Sequence, residues 1–158
     1  AMDCYILPCE YMGFDTTSIA SSDTFAALQT GVVEGLAGST PAGAYLNYRD
    51  IIDYYYVYQM SPEVTQIMIS EKTLAKLSPE DQKTIVDICR QECANSVNYA
   101  KEEDEKYLKL MEDNGIKIVR FTDEEIEMFA EAVRTNVWPQ LAKTYGEDFI
   151  NELLKLYK

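Results

Sequence analysis

The chain contains no histidine among its 158 residues. Because histidine is the commonest general base and orients most nucleophile triads, its absence weighs against most acid–base enzymes. Acidic side chains are plentiful, but their spacing singles out no catalytic pair, and the run 102–105 is typical of a solvated helix face. A carboxylate-dependent hydrolase stays open as an alternative, and it requires two convergent acids with raised pKa values in one pocket. The sequence therefore favours a protein that is not an enzyme.

Basic side chains are scarce as well. The 14 lysines and arginines face 27 aspartates and glutamates, so the formal charge is −13. A charge of this sign repels phosphate backbones and anionic lipids, and nucleic acid is therefore not expected as a partner. No stretch approaches the roughly 18 consecutive apolar residues of a membrane span. Among the few cations, Arg49 and Arg120 are candidate anion contacts, with surface ion pairs as the competing interpretation.

Four cysteines are too few and too widely spaced for a disulfide or metal framework. Cys4 and Cys9 lie five positions apart, and Cys89 and Cys93 share one face of a predicted helix, where a disulfide within one turn is geometrically poor. Zinc sites use more closely spaced pairs, and the chain has no histidine to complete one. Free thiols are therefore predicted, with no metal and no cofactor.

No repeat, low-complexity tract or Gly/Ser linker divides the chain, so residues 1–158 are predicted to form a single folding unit. A chain of this length buries about 70% of its extended surface when it folds, which one core can provide. The first residues lack the basic, apolar and small-residue order of a signal peptide. Ala1 before Met2 is typical of a residue left by tag cleavage.

Residues 24–58 combine two predicted helices, a glycine turn and an aromatic strand. The apolar spacing predicts a helix from Ser22 to Thr30, with Ser22 or Asp23 as its cap and Gly31 in the left-handed conformation at its end. A proline at the first position predicts a second helix from Pro41 to Tyr48, and a strand is predicted from Ile51 to Tyr58.

β-branched residues predict further strands in the first half. They are concentrated at 16–20 and 32–37, on either side of the first predicted helix, so this region is typical of a βαβ unit. The segment 4–12 is apolar and aromatic but broken by a proline, and it fits either the end of a strand or a short helix.

The second half is predicted to be mostly helical. Ser78 as N-cap and Pro79 at the first position begin a helix that runs to Asn114 and Gly115, a length of about 54 Å at 1.5 Å per residue. Such a helix is longer than a small domain. Before this helix, a strand is predicted at 64–70, set off by Ser61 and Pro62, and a short helix at 71–77. After it, a strand is predicted at 116–121. The Thr122 and Glu125 capping box then begins a helix that runs to Tyr145 with a kink at Pro139, and a last helix is predicted at 147–156.

The glycine turn is the best candidate for a binding site. Four of the seven glycines fall between Gly31 and Gly43, with Ser39 and Thr40 among them, so backbone amides and hydroxyls there are available to a ligand. The turn lacks the lysine of a phosphate loop, and no GxGxxG pattern occurs. The tyrosines at 54, 56 and 58 alternate along the following strand, which fits either one wall of a small-molecule cleft or a sheet face.

Three motifs carry a family resemblance. FAALQTGVVEG at 25–35, RDIIDYYY at 49–56 and IMISEKTLAKLSPEDQKTIVD at 67–87 resemble, in order and spacing, the solute-binding subunits of tripartite ATP-independent periplasmic (TRAP) transporters, the dicarboxylate-binding type. The resemblance runs from about Met12 to the last residue. It includes the glycine turn and the Ser-Pro-Glu-Asp helix start, a combination that chance rarely gives.

The resemblance implies an α/β fold like that of periplasmic binding proteins, with a type II-like, helix-rich lobe. In this family two lobes close on a hinged cleft, and a long helix crosses between them, which explains the helix from Ser78. Family members are longer than this chain. Residues 1–158 are therefore expected to correspond to the C-terminal half, that is, the second lobe with strands that join the first.

The resemblance also implies a function. A periplasmic or extracytoplasmic receptor would capture a small organic acid and deliver it to the TRAP membrane permease. The ligand-binding residues expected to face the cleft are Gly38, Ser39, Tyr58 and Gln59, and Thr40 adds a second hydroxyl on the same turn. The carboxylate-binding arginine of the family falls before Met2 in this resemblance and has no counterpart in the chain.

A different class of function remains open beside this one. An isolated lobe would expose the surface that the other lobe normally covers, and an apolar surface or an open sheet edge tends to recruit a partner. The chain would then act as an interaction module that pairs with itself as a homodimer and binds no ligand.

Overall fold

The computed structural model describes residues 3–59, 64 and 66–156, and this part of the chain forms eight helices and two strands. The helices are α1 (Asp3–Tyr11), α2 (Ser21–Gln29), α3 (Pro41–Tyr48), α4 (Glu71–Leu74), α5 (Pro79–Asp113), α6 (Asp123–Asn136), α7 (Trp138–Tyr145) and α8 (Glu147–Lys155). The strands are β1 (Tyr54–Tyr56) and β2 (Lys117–Val119).

The two strands form a small parallel sheet. Tyr54 is opposite Lys117, Tyr55 opposite Ile118 and Tyr56 opposite Val119. Parallel strands need a long crossover, and α5 lies in the connection between them. The α/β class is therefore present in the form of a helix-rich fold with a two-stranded parallel sheet.

A first hydrophobic cluster packs one face of this sheet against α3 and α5. Its buried members are Ala44, Leu108, Met111 and Ile116, with Tyr45, Ile52, Tyr55, Val57 and Ile118 packed around them. Because successive strand residues point to opposite faces, the side chain of Tyr55 lies towards this cluster and those of Tyr54 and Tyr56 lie on the other face. The core thus determines the orientation of the central tyrosine.

A second cluster joins the two ends of the chain. Val137, Leu141 and Ile150 are its buried members, and Cys4, Leu7, Val133, Trp138, Ala142 and Leu154 pack against them. Thr144 strengthens the contact between the termini, since its hydroxyl donates to the Asp3 carboxylate at 2.9 Å. Helices α1, α6, α7 and α8 therefore form a bundle of their own.

The long helix α5 has the limits that the sequence predicts. The Ser78 hydroxyl accepts the amide proton of Asp81 at 3.1 Å, and Gly115 has a φ of +89° just beyond the last turn. Of its 35 residues only Leu108 and Met111 are buried, both near the C-terminal end. The N-terminal part of α5 extends away from the core.

Three predicted strands are absent from the described residues. Segments 16–20 and 32–37 and the described residues of 64–70 have no strand partner. Val32 and Val33 instead donate their amide protons to the Ala27 carbonyl at 2.9 and 3.3 Å, so the chain folds back onto the end of α2. The predicted βαβ unit around α2 is therefore wrong, because these amides bond locally.

Helix boundaries differ from prediction in two places. The predicted helix from Thr122 to Tyr145 is two helices that break at Val137, and Pro139 lies in the first turn of α7 instead of kinking a continuous helix. Helix α2 begins at Ser21 after Ala20, and neither Ser22 nor Asp23 caps it. The Thr122 capping box is confirmed.

The remaining predictions can be placed as follows. Segment 4–12, which fitted a strand end or a helix, is helical in α1 as far as Tyr11. The predicted strands at 51–58 and 116–121 are confirmed in their central residues only, as β1 and β2. The predicted break at Ser61 and Pro62 lies outside the described residues.

Candidate functional site

The glycine turn ends in a capped helix. Thr40 is the N-cap of α3, and its Oγ1 accepts the amide proton of Gly43 at 3.1 Å. Pro41 follows at the first position, where a missing amide proton costs nothing. The hydroxyl of Thr40 is therefore engaged in ending the turn, which leaves it less free for a ligand than the sequence suggests.

Gly38 has a backbone conformation that other residues rarely adopt. Its φ is +87°, and a Cβ at this position would lie 3.3 Å from Cε1 of the Tyr5 ring. Gly38 is exposed, and Ser39 and Thr40 are partly buried. Both the dihedral angle and the close approach of Tyr5 favour glycine here.

A tyrosine from the sheet holds the turn. The Tyr55 hydroxyl donates to the Ser39 carbonyl at 2.8 Å, across 16 positions of sequence. Burial, with the negative charge of Asp104 as a second cause, raises the pKa of Tyr55 to about 12. Tyr55 therefore remains a protonated donor at neutral pH. The Ser39 hydroxyl makes a local bond to the Thr40 carbonyl at 3.3 Å.

The other face of the sheet carries a continuous set of rings, called here the aromatic face: Tyr54, Tyr56, Tyr58, Phe121 and Phe129. The Tyr58 ring stacks on Phe121 with centroids 4.7 Å apart and meets the edge of Phe129 at 5.5 Å. Tyr56 lies 6.0 Å from Tyr58 and 6.2 Å from Tyr54. Tyr54 and Tyr56 are each 48% exposed, so the sheet end of this face is open to solvent, while Tyr58, Phe121 and Phe129 are half-buried.

A cation borders the aromatic face. Lys117 Nζ lies 5.0 Å from the centroid of the Tyr54 ring and donates to its hydroxyl at 3.2 Å. The hydrogen bond with Tyr54 is the first cause of a raised pKa of Lys117. The ammonium group therefore stays charged at the open end of the ring series.

Gln59 ends the tyrosine segment in the left-handed region. Its φ is +51°. A positive φ is uncommon for a residue other than glycine, and such residues are often found at functional sites. The preceding Tyr58 amide donates to the Tyr56 carbonyl at 3.0 Å, which bends the chain just after β1. Gln59 itself is exposed.

The five predicted ligand residues lie in two groups. Gly38, Ser39 and Thr40 share one turn that is bound to Tyr55, on the core face of the sheet. Tyr58 packs with the rings of the aromatic face, on the opposite side, and Gln59 follows it. The structure thus brings three of the five together, and the other two lie beyond the end of β1.

Two residues that the sequence did not single out shape the turn. Tyr5 lies against Gly38, and Tyr55 bonds to Ser39. One signal was present for Tyr55, because in the alternating series at 54–58 it is the tyrosine that must point to the face opposite its neighbours. Nothing in the sequence near Tyr5 indicates its contact with residue 38.

Both candidate arginines, Arg49 and Arg120, contact other side chains of the same chain. Arg120 pairs with Glu105 at 2.9 and 3.1 Å. Arg49 lies over the Tyr45 ring at 5.3 Å and 3.9 Å from the Asp50 carboxylate. The interpretation of these two arginines as members of surface ion pairs is the one the structure confirms.

Two surface depressions of the described residues lie away from the predicted ligand residues. One open depression lies along α8, between Asp148 and Lys155, and another lies along α5, between Asn95 and Glu102. Each is lined by residues of a single helix, so both are grooves on a helix surface. Neither includes the glycine turn or the aromatic face.

Two neighbouring acidic side chains on α5 have shifted pKa values. Burial and the neighbouring Glu105 raise the pKa of Asp104, while the hydrogen bond from Arg120 lowers the pKa of Glu105. These neighbours therefore shift in opposite directions, unlike the two raised acids that a hydrolase requires. All four cysteines are free, and no cluster of potential metal ligands occurs among the residues described.

The comparisons with known proteins give one match. The family model described as bacterial extracellular solute-binding protein, family 7 (DctP), matches residues 4–144. No curated protein and no solved structure matches the chain. Within the part of the chain that the structure describes, none of the helices has the length and apolar character needed to cross a membrane.

Proposed function

Since this chain belongs to the bacterial extracellular solute-binding proteins of family 7, we propose that it is the solute-binding component of a TRAP-type transporter. It captures a small organic anion and delivers it to the membrane permease. The observation that carries this proposal is the extent of the family match, residues 4–144, which includes both the glycine turn and α5. The family binds solutes and in general does not catalyse reactions, and periplasmic or extracytoplasmic localisation is part of the same proposal.

The chain is proposed to be the second lobe of a two-lobed receptor, with strands that pair in the first lobe. Parallel sheets are normally covered on both faces, whereas here one face of the sheet is open. The described residues of 64–70 lie outside any helix or strand and are exposed, with Ile67 62% and Met68 83% accessible. An open sheet face and an apolar unpaired segment are what removal of a neighbouring lobe would leave.

The ligand site is proposed to comprise Gly38, Ser39, Thr40, Tyr58 and Gln59. The turn of the first three precedes the N-terminus of α3, where unpaired amide protons and the helix dipole favour negative charge. Tyr58 and Gln59 would contribute ligand contacts from the segment that follows β1. The positive φ of Gln59 supports a role in ligand binding at this position. A ligand that reaches both groups must extend past the edge of the sheet.

Calorimetry with a panel of small organic acids, including succinate and pyruvate, tests this site. The 158-residue chain should bind them weakly or not at all, because one wall leaves a carboxylate solvated and the glycine turn has no arginine to offer it paired donors. A micromolar Kd for this chain alone would overturn the two-wall argument. Ser39→Ala and Tyr58→Ala would then locate the site, with Ser22→Ala as the matched control.

Reading the gene upstream of Met2 tests the two-lobe assignment separately. The expected result is a coding sequence for another α/β lobe that begins with a signal peptide. A longer product that contains both lobes should bind a member of the panel in the micromolar range, because closure excludes water from the charge. An independent start codon with no such lobe would contradict the receptor assignment.

A second candidate function is a self-associating module. The aromatic face and the exposed Ile67, Met68 and Ile69 favour it, since large exposed apolar patches mark interaction sites. The formal charge of −13 opposes pairing of two copies, so added salt should strengthen any dimer. Light scattering across a concentration series decides the matter. A strict monomer at high concentration and high salt would rule this candidate out.

A further inference from the structure

The N-terminal part of α5 is a long helical segment without a packing partner. This segment, called here the α5 arm, runs from Pro79 to Tyr107, and none of its side chains is buried. The first buried residue of α5 is Leu108. At 1.5 Å per residue the arm is about 42 Å long. Its middle residue is Cys93, which is exposed and equally far in sequence from both ends of the arm.

One face of the arm carries apolar residues that are placed symmetrically about its middle. Because successive residues of a helix are turned by about 100°, a set of five side chains lies within about 40° of one direction. This set, called here the seam, is Val86, Cys89, Cys93, Val97 and Ala100. Val86 and Ala100 lie seven positions before and after Cys93. Cys89 and Val97 lie four positions before and after it.

We propose that the α5 arm is a pairing surface for a second copy of this chain, with the two arms antiparallel and the two Cys93 residues at the two-fold axis. A two-fold interface uses the same patch on both copies, so the patch must be complementary to itself. The seam meets this condition, because Val86 lies opposite the partner's Ala100, and Cys89 lies opposite the partner's Val97. A larger side chain meets a smaller one at each level. The pairing goes beyond solute binding and does not rest on it.

Charge selects the antiparallel arrangement. Each copy has a formal charge of −13, so two copies repel one another. Parallel arms would place the packed parts of the two copies side by side, whereas antiparallel arms place them at opposite ends, separated by more than the Debye length of about 8 Å. Beside the seam, Lys83 comes within reach of the partner's Glu105. On the same side, Asp87 comes within reach of the partner's Lys101.

The size of the surface determines how strongly the copies pair. A strip about 42 Å long and about 10–12 Å wide covers about 420–500 Å² of each copy, or about 1,000 Å² in total. Specific interfaces of about this size are usually transient. The pair is therefore in exchange with the monomer, and its population rises with protein concentration and with salt.

Sedimentation equilibrium of the 158-residue chain over a concentration series at high salt tests the pairing. Val97→Glu places a charge in the seam and should raise the dissociation constant of the dimer at least tenfold. Ile88→Glu is the matched control, because Ile88 is a 54% exposed apolar residue of the same arm that points about 140° away from the seam. It should change the constant by less than about twofold. Val97 is 66% exposed, so both variants should fold.

Thiol cross-linking tests the register. In a chain with Cys4→Ala and Cys89→Ala, Cys93 is the accessible thiol, because Cys9 is buried. A short bismaleimide should join two copies through Cys93. The control is the same chain with Cys93→Ser and Ala100→Cys. Antiparallel arms place the two new thiols about 21 Å apart, so the cross-linked yield should fall at least fivefold.

Three results would overturn the proposal. The first is a strict monomer at high concentration and high salt. The second is an equal effect of Val97→Glu and Ile88→Glu on the dimer. The third is cross-linking through Ala100→Cys as efficient as through Cys93, which would show parallel arms. A dimer that resists Val97→Glu but dissociates with Tyr56→Glu would also overturn it, since pairing would then use the aromatic face. No solute enters these measurements, so failure of solute binding leaves them decisive.

Discussion

Arg120 and Glu105 form a two-point ion pair, in which Nη1 and Nη2 lie 3.1 and 2.9 Å from the two carboxylate oxygens. The pair joins the residue after β2 to the C-terminal third of α5, across 15 positions of sequence. Its hydrogen bond lowers the pKa of Glu105, and it raises that of Arg120. Both side chains are largely exposed, which limits how much the pair stabilises the fold.

Glu105→Gln should lower the free energy of unfolding at pH 7 by at most about 1 kcal/mol. A carboxylate with a lowered folded-state pKa stabilises the fold above its ordinary pKa, and this stabilisation is lost as the pH falls through the folded-state value. The difference between variant and unsubstituted chain should therefore be smaller at an acidic pH below the ordinary glutamate range than at pH 7, as measured by urea denaturation at both. Glu102→Gln is the control, and equal differences at both pH values would contradict the expectation.

Gly38→Ala should destabilise the fold by about 1–2 kcal/mol, because alanine resists a φ of +87° and its Cβ would press on Tyr5. Gly35→Ala is the matched control in the same turn, where a Cβ meets nothing within 4 Å and the φ is not positive. It should be neutral or slightly stabilising. Thermal unfolding measures both, and equal effects would show that the conformation at Gly38 is not required.

Truncations along α5 should have unequal effects. Leu108→Ala removes a side chain that is 2% exposed and should cost about 2–5 kcal/mol, whereas Val97→Ala acts on a side chain that is 66% exposed and should stay within about 0.5 kcal/mol. Denaturant unfolding followed by circular dichroism gives both values. A large loss for Val97→Ala would mean that another surface covers the N-terminal part of α5.

The thiols should react in a defined order. Burial raises the pKa of Cys9, so its reactive thiolate is scarce, and the side chain itself is inaccessible. Cys93 is exposed and should react first with a maleimide reagent, well before Cys9. Mass spectrometry of time-quenched samples measures the order. Resistance of Cys93 to labelling would indicate a disulfide or a bound metal, and elemental analysis would distinguish the two.

Helix ends could be predicted because their signals are local. Ser78 with Pro79 marks the start of α5, and Thr122 with Glu125 marks the start of α6, since each cap satisfies amides within three residues of itself. Such bonds depend on residues adjacent in sequence. The break at Val137 was missed because Pro139 fits the first turn of a new helix as well as a kink.

Strands were harder to predict, because a strand needs a partner that the local sequence does not specify. Val32 and Val33 have the β-branched side chains of a strand, yet their amides bond to Ala27. The β1 and β2 pairing joins residues more than 60 positions apart. β-propensity alone therefore does not show which β-branched segment pairs in a sheet and which bonds locally.

The candidate site was predictable only in part, because some of its contacts are local in sequence and others join distant segments. Its glycines and hydroxyls are visible in the sequence, and the left-handed Gly38 fits the turn they indicate. The Tyr55 bond and the packing of Tyr58 on Phe121 depend on the folded sheet, which brings distant segments together. Residue types thus indicated where the turn is, while its orientation required the tertiary structure.

The long unburied part of α5 has a mechanical consequence. The distance from the anchored Leu108 to Pro79 at the tip is roughly 44 Å at 1.5 Å per residue. None of the side chains from Pro79 to Tyr107 is buried. A rod of that length held at one end converts a rotation of about 5° at its base into a displacement of about 4 Å at its tip. Small adjustments at the base, where Asp104 approaches Tyr55, are therefore magnified at the far end of the molecule.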